Sequence, residues 1–193
     1  DLFSVGRKVK IALADMDWLS WQKDLQADCD ALSALLGMIS DITPQHDSKL
    51  QMLLETISSK VQKPVNPGNR KVLIFTAFSD TAEYLYQHVS SFMLKRYGLH
   101  SALITGSVEG RTTIPKFRAD LNSVLTCFSP LSKDRAALMP DGPDIDVLIA
   151  TDCISEGQNL QDCDCVINFD IHWNPVRLVQ RFGRIDRIGS KND

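Results

Sequence analysis

Four short apolar runs constrain this chain more than any other feature: Val72 to Phe75, Ser101 to Ile104, Val147 to Ala150 and Val166 to Phe169. None of them alternates polar with apolar residues, which is the pattern of a strand covered by helices on both faces. The stretches between them carry helical spacing, most clearly Thr81 to Tyr97 and Pro115 to about Leu125, with Pro115 acceptable only in the first turn of a helix. Strands alternating with helices predict βαβ units, right-handed crossovers and a parallel sheet, hence an α/β fold.

Ahead of these runs the texture differs. From Lys10 to about Ser40 the residues Leu13, Met16, Trp21, Leu25, Leu32, Leu35 and Leu36 fall at mostly helical spacing and predict one or two helices. Thr43, Pro44 and Gln45 interrupt the pattern, and Leu50, Leu53, Leu54 and Ile57 restart it in a helix capped by Asp47 or Ser48. Pro64, Val65, Asn66, Pro67 and Gly68 read as a linker, so the expected division is a helical segment, residues 1–66, and an α/β domain, residues 67–193. Thr126 to Asp144, rich in Ser, Pro and Asp, reads as a loop or insertion longer than compact domains usually carry.

Composition narrows the partners. A length of 193 residues with 44% hydrophobic content suits one compact domain with an appendage, or a small two-part unit. A formal net charge of -3 argues against binding nucleic acid through overall positive charge, so any such contact must be local. Five cysteines, an odd number, with no apolar run of membrane length, point to a reducing, cytoplasmic compartment. Cys153, Cys163 and Cys165 have no His or second Cys pair at zinc-like spacing, and no metal site is expected there. Trp18 and Trp21, three apart on a helical pattern, read as packing residues rather than as platforms for bases, a role also open to Trp173. The chain opens on Asp1 with no initiator Met and is expected to be part of a longer polypeptide.

The stretch from Gln180 to Gly189, Q-R-F-G-R-I-D-R-I-G, carries the most chemistry. Pro175 can open a helix, on which Arg177, Gln180 or Arg181, Arg184 and Arg187 would share a face. Like charges stacked in this way cost roughly 0.2 to 0.5 kcal/mol per pair on an exposed helix, so an anion would explain them. A triphosphate suits best, because guanidinium forks match phosphate oxygens and keep their charge. The other explanation is a set of surface salt bridges to Asp152, Glu156, Asp170 or Asp186.

This run resembles motif VI of superfamily 2 helicases, with the Gln start and the placing of Asp186 closest to Swi/Snf-like and RapA-like members. Asp146 to Leu160, D-V-L-I-A-T-D-C-I-S-E-G-Q-N-L, is similar to motif V of the same group. Lys71 to Phe78, K-V-L-I-F-T-A-F, resembles motif IV, and Ile104, Thr105 and Gly106 resemble a short I-T-G element. The resemblance implies the C-terminal RecA-like lobe of an ATP-dependent translocase, with ATP and Mg2+ held mainly by an N-terminal lobe that this sequence does not contain.

It further implies arginine-finger roles for Arg184 and Arg187 at the γ-phosphate, and places Gln180, Arg181, Gly157 and Asn159 beside the nucleotide or the cleft between lobes. Arg181 could equally be structural, and Asp152 either a helix cap or a member of the catalytic network. Thr76, Ser79, Thr105, Gly106, Thr151 and Arg111 are implied contacts to a nucleic-acid backbone, chiefly double-stranded DNA, with electrostatic help from Lys116 and Arg118. Ordinary strand-end turns, with Ser79 or Asp80 capping the next helix, would explain the same residues.

No G-x-x-x-x-G-K-[ST] loop and no acidic magnesium-binding element occur in the sequence, so the chain by itself is expected neither to hydrolyse ATP nor to bind it tightly. Two other classes stay open. One is an RNA-directed helicase or RNA-polymerase-associated recycling factor; the other is a non-catalytic interaction domain of RecA-like fold.

Overall fold

The computed structural model describes residues 4–154, 157–171 and 174–186. They fall into two compact units, Asp1–Ser48 and Lys49–Asp193. In the first, β1 (Ser4–Val5) pairs antiparallel with β2 (Ile11–Ala12), and α1 (Trp18–Ile39) follows. Asp17 caps α1 by accepting the Ser20 N–H at 3.1 Å. The helical spacing is thus realised as one helix, but none of its residues is buried, and Trp18 and Trp21 stay 52% and 58% exposed. The packing role expected of these two tryptophans is not found, because a two-residue-deep hairpin offers too little apolar surface to cover a helix of 22 residues.

The second unit contains α2 (Ser48–Gln62), β3 (Val72–Phe75), α3 (Ser79–Tyr97), β4 (Ser101–Ile104), β5 (Arg111–Thr112), α4 (Leu121–Phe128), α5 (Arg135–Leu138), β6 (Val147–Ala150), β7 (Val166–Asn168) and α6 (Pro175–Phe182). Its sheet runs in the order β5-β4-β6-β3-β7, parallel throughout except for the antiparallel β4–β5 pair. Leu73 pairs with Leu148 on one side and Val166 on the other.

All four residues of β3, β4 and β6 are buried, as unbroken apolar runs require. Alternate side chains feed two cores. Leu73, Phe75, Ala102, Leu148 and Ala150 pack with Val124, Leu125 and Phe128 of α4, whereas Val72, Ile74, Leu103, Val147 and Ile149 pack with α2 and α3. Each fully buried Leu, Ile or Val is worth roughly 1.5 to 3 kcal/mol, so these two layers dominate the stability of the unit.

Leu50, Leu53, Ile57 and Val61 bury α2 in the second of these cores, although the Pro64–Gly68 linker would have set that helix apart. A buried ion pair, Lys60 Nζ to Asp164 Oδ1 at 2.6 Å, reinforces the docking, and Asn66 donates to Asp164 Oδ2 at 2.9 Å. Residues 64–68 therefore serve as a turn between two packed elements, with Gly68 at a φ of 81° that favours glycine.

Several local expectations are corrected. Pro115 opens no helix: Lys116 has a φ of 60°, which no helix admits, and α4 begins at Leu121 behind the Asp120 cap, whose carboxylate accepts the Ser123 N–H at 3.1 Å. The same helix runs into the segment read as loop, because Cys127 and Phe128 are core residues, and α5 adds a further turn there. The α3 cap is Phe78 without a side-chain bond, so neither Ser79 nor Asp80 caps that helix.

Candidate functional site at the strand carboxyl ends

Thr76, Thr105, Thr151 and Asp170 follow β3, β4, β6 and the β7 segment, and so mark the rim where open α/β sheets collect ligands. Alongside it, α6 starts at Pro175, and the Asn174 side chain caps it by accepting the Val176 N–H at 3.0 Å. The helix has an inverted character. Val176, Val179 and Phe182 are exposed, while Arg181 is turned inward and only 2% exposed.

A buried guanidinium is tolerable only if its donors are satisfied. Arg181 meets this condition: Nε and Nη2 donate to Asp152 Oδ1 and Oδ2 at 2.7 and 3.1 Å, and Nη1 donates to Asn168 Oδ1 at 3.0 Å and to the Asp170 carbonyl at 3.4 Å. Its guanidinium carbon lies 5.1 Å from the centroid of the Phe75 ring. Arg181 thus bolts α6 to the ends of β3, β6 and β7; its partner is one the salt-bridge explanation names, but the guanidinium is buried rather than on the surface. Asp152 is its bidentate partner and caps no helix.

Phe75, Asp152, Arg177, Gln180, Arg181 and Arg184 border a crevice of about 20 Å³, room for roughly one water molecule. It cannot enclose a nucleotide. Arg184 is 8% exposed, and its carbonyl accepts the Leu160 N–H at 3.0 Å, which ties the arginine turn to the loop after β6. In that loop Gly157 is exposed with a φ of 90°, suiting the tight turn expected of it. Asn159 is engaged locally, accepting the Gln161 N–H at 3.2 Å and donating to Gln161 Oε1 at 3.0 Å. Arg187, Glu156, His172 and Trp173 lie outside the described residues.

The residues expected at a nucleic-acid backbone separate into two groups. Thr76 and Thr151 are buried, and the Thr76 hydroxyl donates to Asp170. The more accessible group lies at the start of α3 and on the loop after β4: Ser107 Oγ donates to Oγ of the half-buried Ser79 at 2.6 Å, the half-buried Thr105 accepts the Val108 N–H through Oγ1 at 3.1 Å, and Gly106 is exposed beside them. Ser107 was not singled out by sequence, since only the fold reveals that its loop meets Ser79. Arg111 pairs with Glu83 at 2.8 Å on the surface, and Arg118 lies 3.5 Å from Asp120.

Asp170 joins these groups. Besides Thr76 it accepts the Ala77 N–H at 3.3 Å and faces Lys49 Nζ at 3.2 Å, and that ammonium also sits 3.9 Å from the Phe169 ring centroid. Burial alone would raise the Asp170 carboxyl, but the bonds from Thr76, Lys49 and Ala77 outweigh it and hold the group below its ordinary value. A depressed carboxylate stabilises the fold above its unfolded value and loses that contribution as pH falls through the folded one. The stability gap between the parent and Asp170→Asn is therefore expected to be constant above about pH 4 and to shrink below it, read from urea unfolding at a series of pH values. A gap independent of pH would contradict this assignment.

Among the described residues no three His, Cys, Asp or Glu side chains come together as a metal site. Burial pushes the Cys163 thiol up to about 12, which makes it a packing group rather than a nucleophile. No described helix is long and apolar enough to cross a membrane.

Comparison with known proteins bears on the family and the fold. The family model described as the helicase conserved C-terminal domain matches residues 48–189. The uncharacterized ATP-dependent helicase YqhH of Bacillus subtilis is 33% identical over 175 residues, covering 89% of this chain and 25% of that protein. The RNA polymerase-associated protein RapA of Vibrio cholerae is 29% identical over 149 residues, which is 77% of this chain and 12% of RapA. The chain thus spans a quarter or less of the length of these curated relatives. Among solved structures, the C-terminal part of the Fun30 ATPase domain matches with a TM-score of 0.51 at 21% identity, over 88% of this chain and 47% of that one, a likeness of fold.

Proposed function

Because this chain belongs to the helicase conserved C-terminal domain family, we propose that it is one half of an ATP-driven nucleic-acid translocase of the Swi/Snf-like or RapA-like kind in superfamily 2. ATP and Mg2+ are held mainly by a second RecA-like lobe of the same polypeptide, and Arg184 and Arg187 complete the site from across the cleft. Gln180, Gly157 and Asn159 border that cleft, and Arg181 acts by holding α6 against the sheet. Ser79 at the start of α3 and the loop carrying Thr105 and Gly106 track a sugar-phosphate backbone, with Arg111 beside them.

The observation that carries this reading is the seating of α6. Arg177 and Arg181 of the helix and Arg184 of the turn after it line a crevice at the strand carboxyl ends too small for a nucleotide, so an anion that engages Arg184 must be presented from outside. Arg184 must swing out of its buried position as the lobes close, which makes γ-phosphate contact a property of the closed state. Closure and reopening then step the pair along the backbone without reading base sequence.

The test is turnover by the chain alone and by a longer polypeptide that includes an ATP-binding lobe. The chain alone is expected to give no ATP hydrolysis above background, while the longer polypeptide hydrolyses ATP and is stimulated more by duplex DNA than by single strands or RNA. Ordinary turnover by the chain alone would overturn the half-site reading. The name of the Vibrio cholerae relative, RNA polymerase-associated protein, supports a second assignment, work on an RNA polymerase complex. Stimulation by RNA above duplex DNA, or co-purification with RNA polymerase, would favour it.

A further inference from the structure

The connection between α4 and α5 plays no part in the proposed ATP chemistry, yet it grips the loop after β6 at two points. At the far end of that loop the Asp162 carboxylate accepts the Leu131 N–H at 2.5 Å and the Ser132 N–H at 3.0 Å, and the Ser132 hydroxyl donates to it as well. At the near end the Lys133 ammonium donates to Gln158 Oε1. Between these anchors the Leu160 N–H reaches the Arg184 carbonyl at 3.0 Å, and the Leu160 side chain is fully buried in the core cluster that includes Ile185. Three hydrogen bonds converge on this one carboxylate, and they fall on a loop whose Gly157 leaves the backbone otherwise permissive.

From this juxtaposition we infer that residues 131–133 form a clasp that sets the position of the Arg184 turn through the 157–162 loop, with Asp162 as the positioning residue. The insertion is then a working part of the lobe. Asp162 touches no nucleotide and acts through the Leu160 to Arg184 link. The effect on turnover rests on the role proposed above for Arg184; the clasp itself can be measured without ATP.

Amide hydrogen exchange on the full chain provides that measurement. Asp162→Ala is expected to speed exchange of the Leu160 amide about tenfold or more, while amides of the central strand β6, such as Ile149, keep the parent rate. Asp162→Asn, which retains one acceptor oxygen, and Ser132→Ala, which removes one of three bonds, should give smaller accelerations at the same amide. If Asp162→Ala does not fold, Ser132→Ala and Lys133→Ala carry the test. Unchanged Leu160 exchange in the folded variants overturns the clasp. In the longer polypeptide with its ATP-binding lobe, Asp162→Ala should lower kcat and leave the KM for ATP unchanged. Faster exchange with turnover unaffected by both Asp162→Ala and Arg184→Ala would sink the role of Arg184 and leave the clasp standing. Turnover lost in Arg184→Ala alone would overturn the coupling between them.

Discussion

Arg184→Ala, introduced into a polypeptide that carries both this chain and an ATP-binding lobe, is expected to lower ATP turnover by roughly 10³ to 10⁵, with the KM for ATP little changed. A guanidinium that meets the γ-phosphate only on closure stabilises charge that grows towards the transition state, and losing such an interaction lowers kcat rather than affinity. Arg184→Lys should rescue little, since an ammonium keeps the charge but lacks the planar fork. Arg187→Ala should behave alike. Because Arg184 is largely buried here, thermal unfolding of the variant must accompany the kinetics to separate lost chemistry from lost structure. Turnover within tenfold of the parent, in a folded variant, would remove Arg184 from the mechanism.

The second large effect concerns stability. Asp152→Ala leaves the Arg181 guanidinium, 2% exposed, without its bidentate carboxylate. Stripping one partner from a buried pair typically costs about 3 to 5 kcal/mol, and about 3 is expected because the Asp152 side chain keeps 31% of its exposure and water softens the loss. Urea unfolding measures it. Adding Arg181→Met to Asp152→Ala should restore part of the stability, since the uncompensated charge is gone. A single-variant cost below about 1 kcal/mol would show that Asn168 and the Asp170 carbonyl suffice to hold the guanidinium.

What was legible in the sequence follows from what each signal measures. β3, β4 and β6 coincide with unbroken apolar runs, because burial on both faces leaves no polar alternation. β7 is one residue shorter than its run and only half-buried, for it forms the edge of the sheet, a property of topology that no local pattern records. The Pro115 error has a similar origin: proline is compatible with a helix start, but Lys116 takes a left-handed conformation that only the surrounding turn dictates. β5, two residues long, gave no signal at all.

At the site, the arginine-rich run marked α6 and the turn after it, but spacing could not sort its members. Arg181 and Arg184 lie three apart, and the carboxylate that Arg181 grips belongs to Asp152, 29 positions upstream, beyond the reach of any local pattern. The Asp162 anchor was illegible for the same reason. Its three donors come from Leu131 and Ser132, about 30 positions away in a segment that reads as filler.

The placing of β3 bears on how such a chain becomes a protein. As an interior strand, next to the edge, it is enclosed on one side by β6 and on the other by β7, both of which are made long after it. During synthesis Val72–Phe75 must wait with both backbone edges unmatched until β6 is made, and with one still unmatched until residues 166–168 have left the ribosome. Such long-range parallel pairing folds slowly and leaves an aggregation-prone segment open in the meantime. Until then α2 and α3, the neighbouring helices already made, are the shelter available to that strand from the second core.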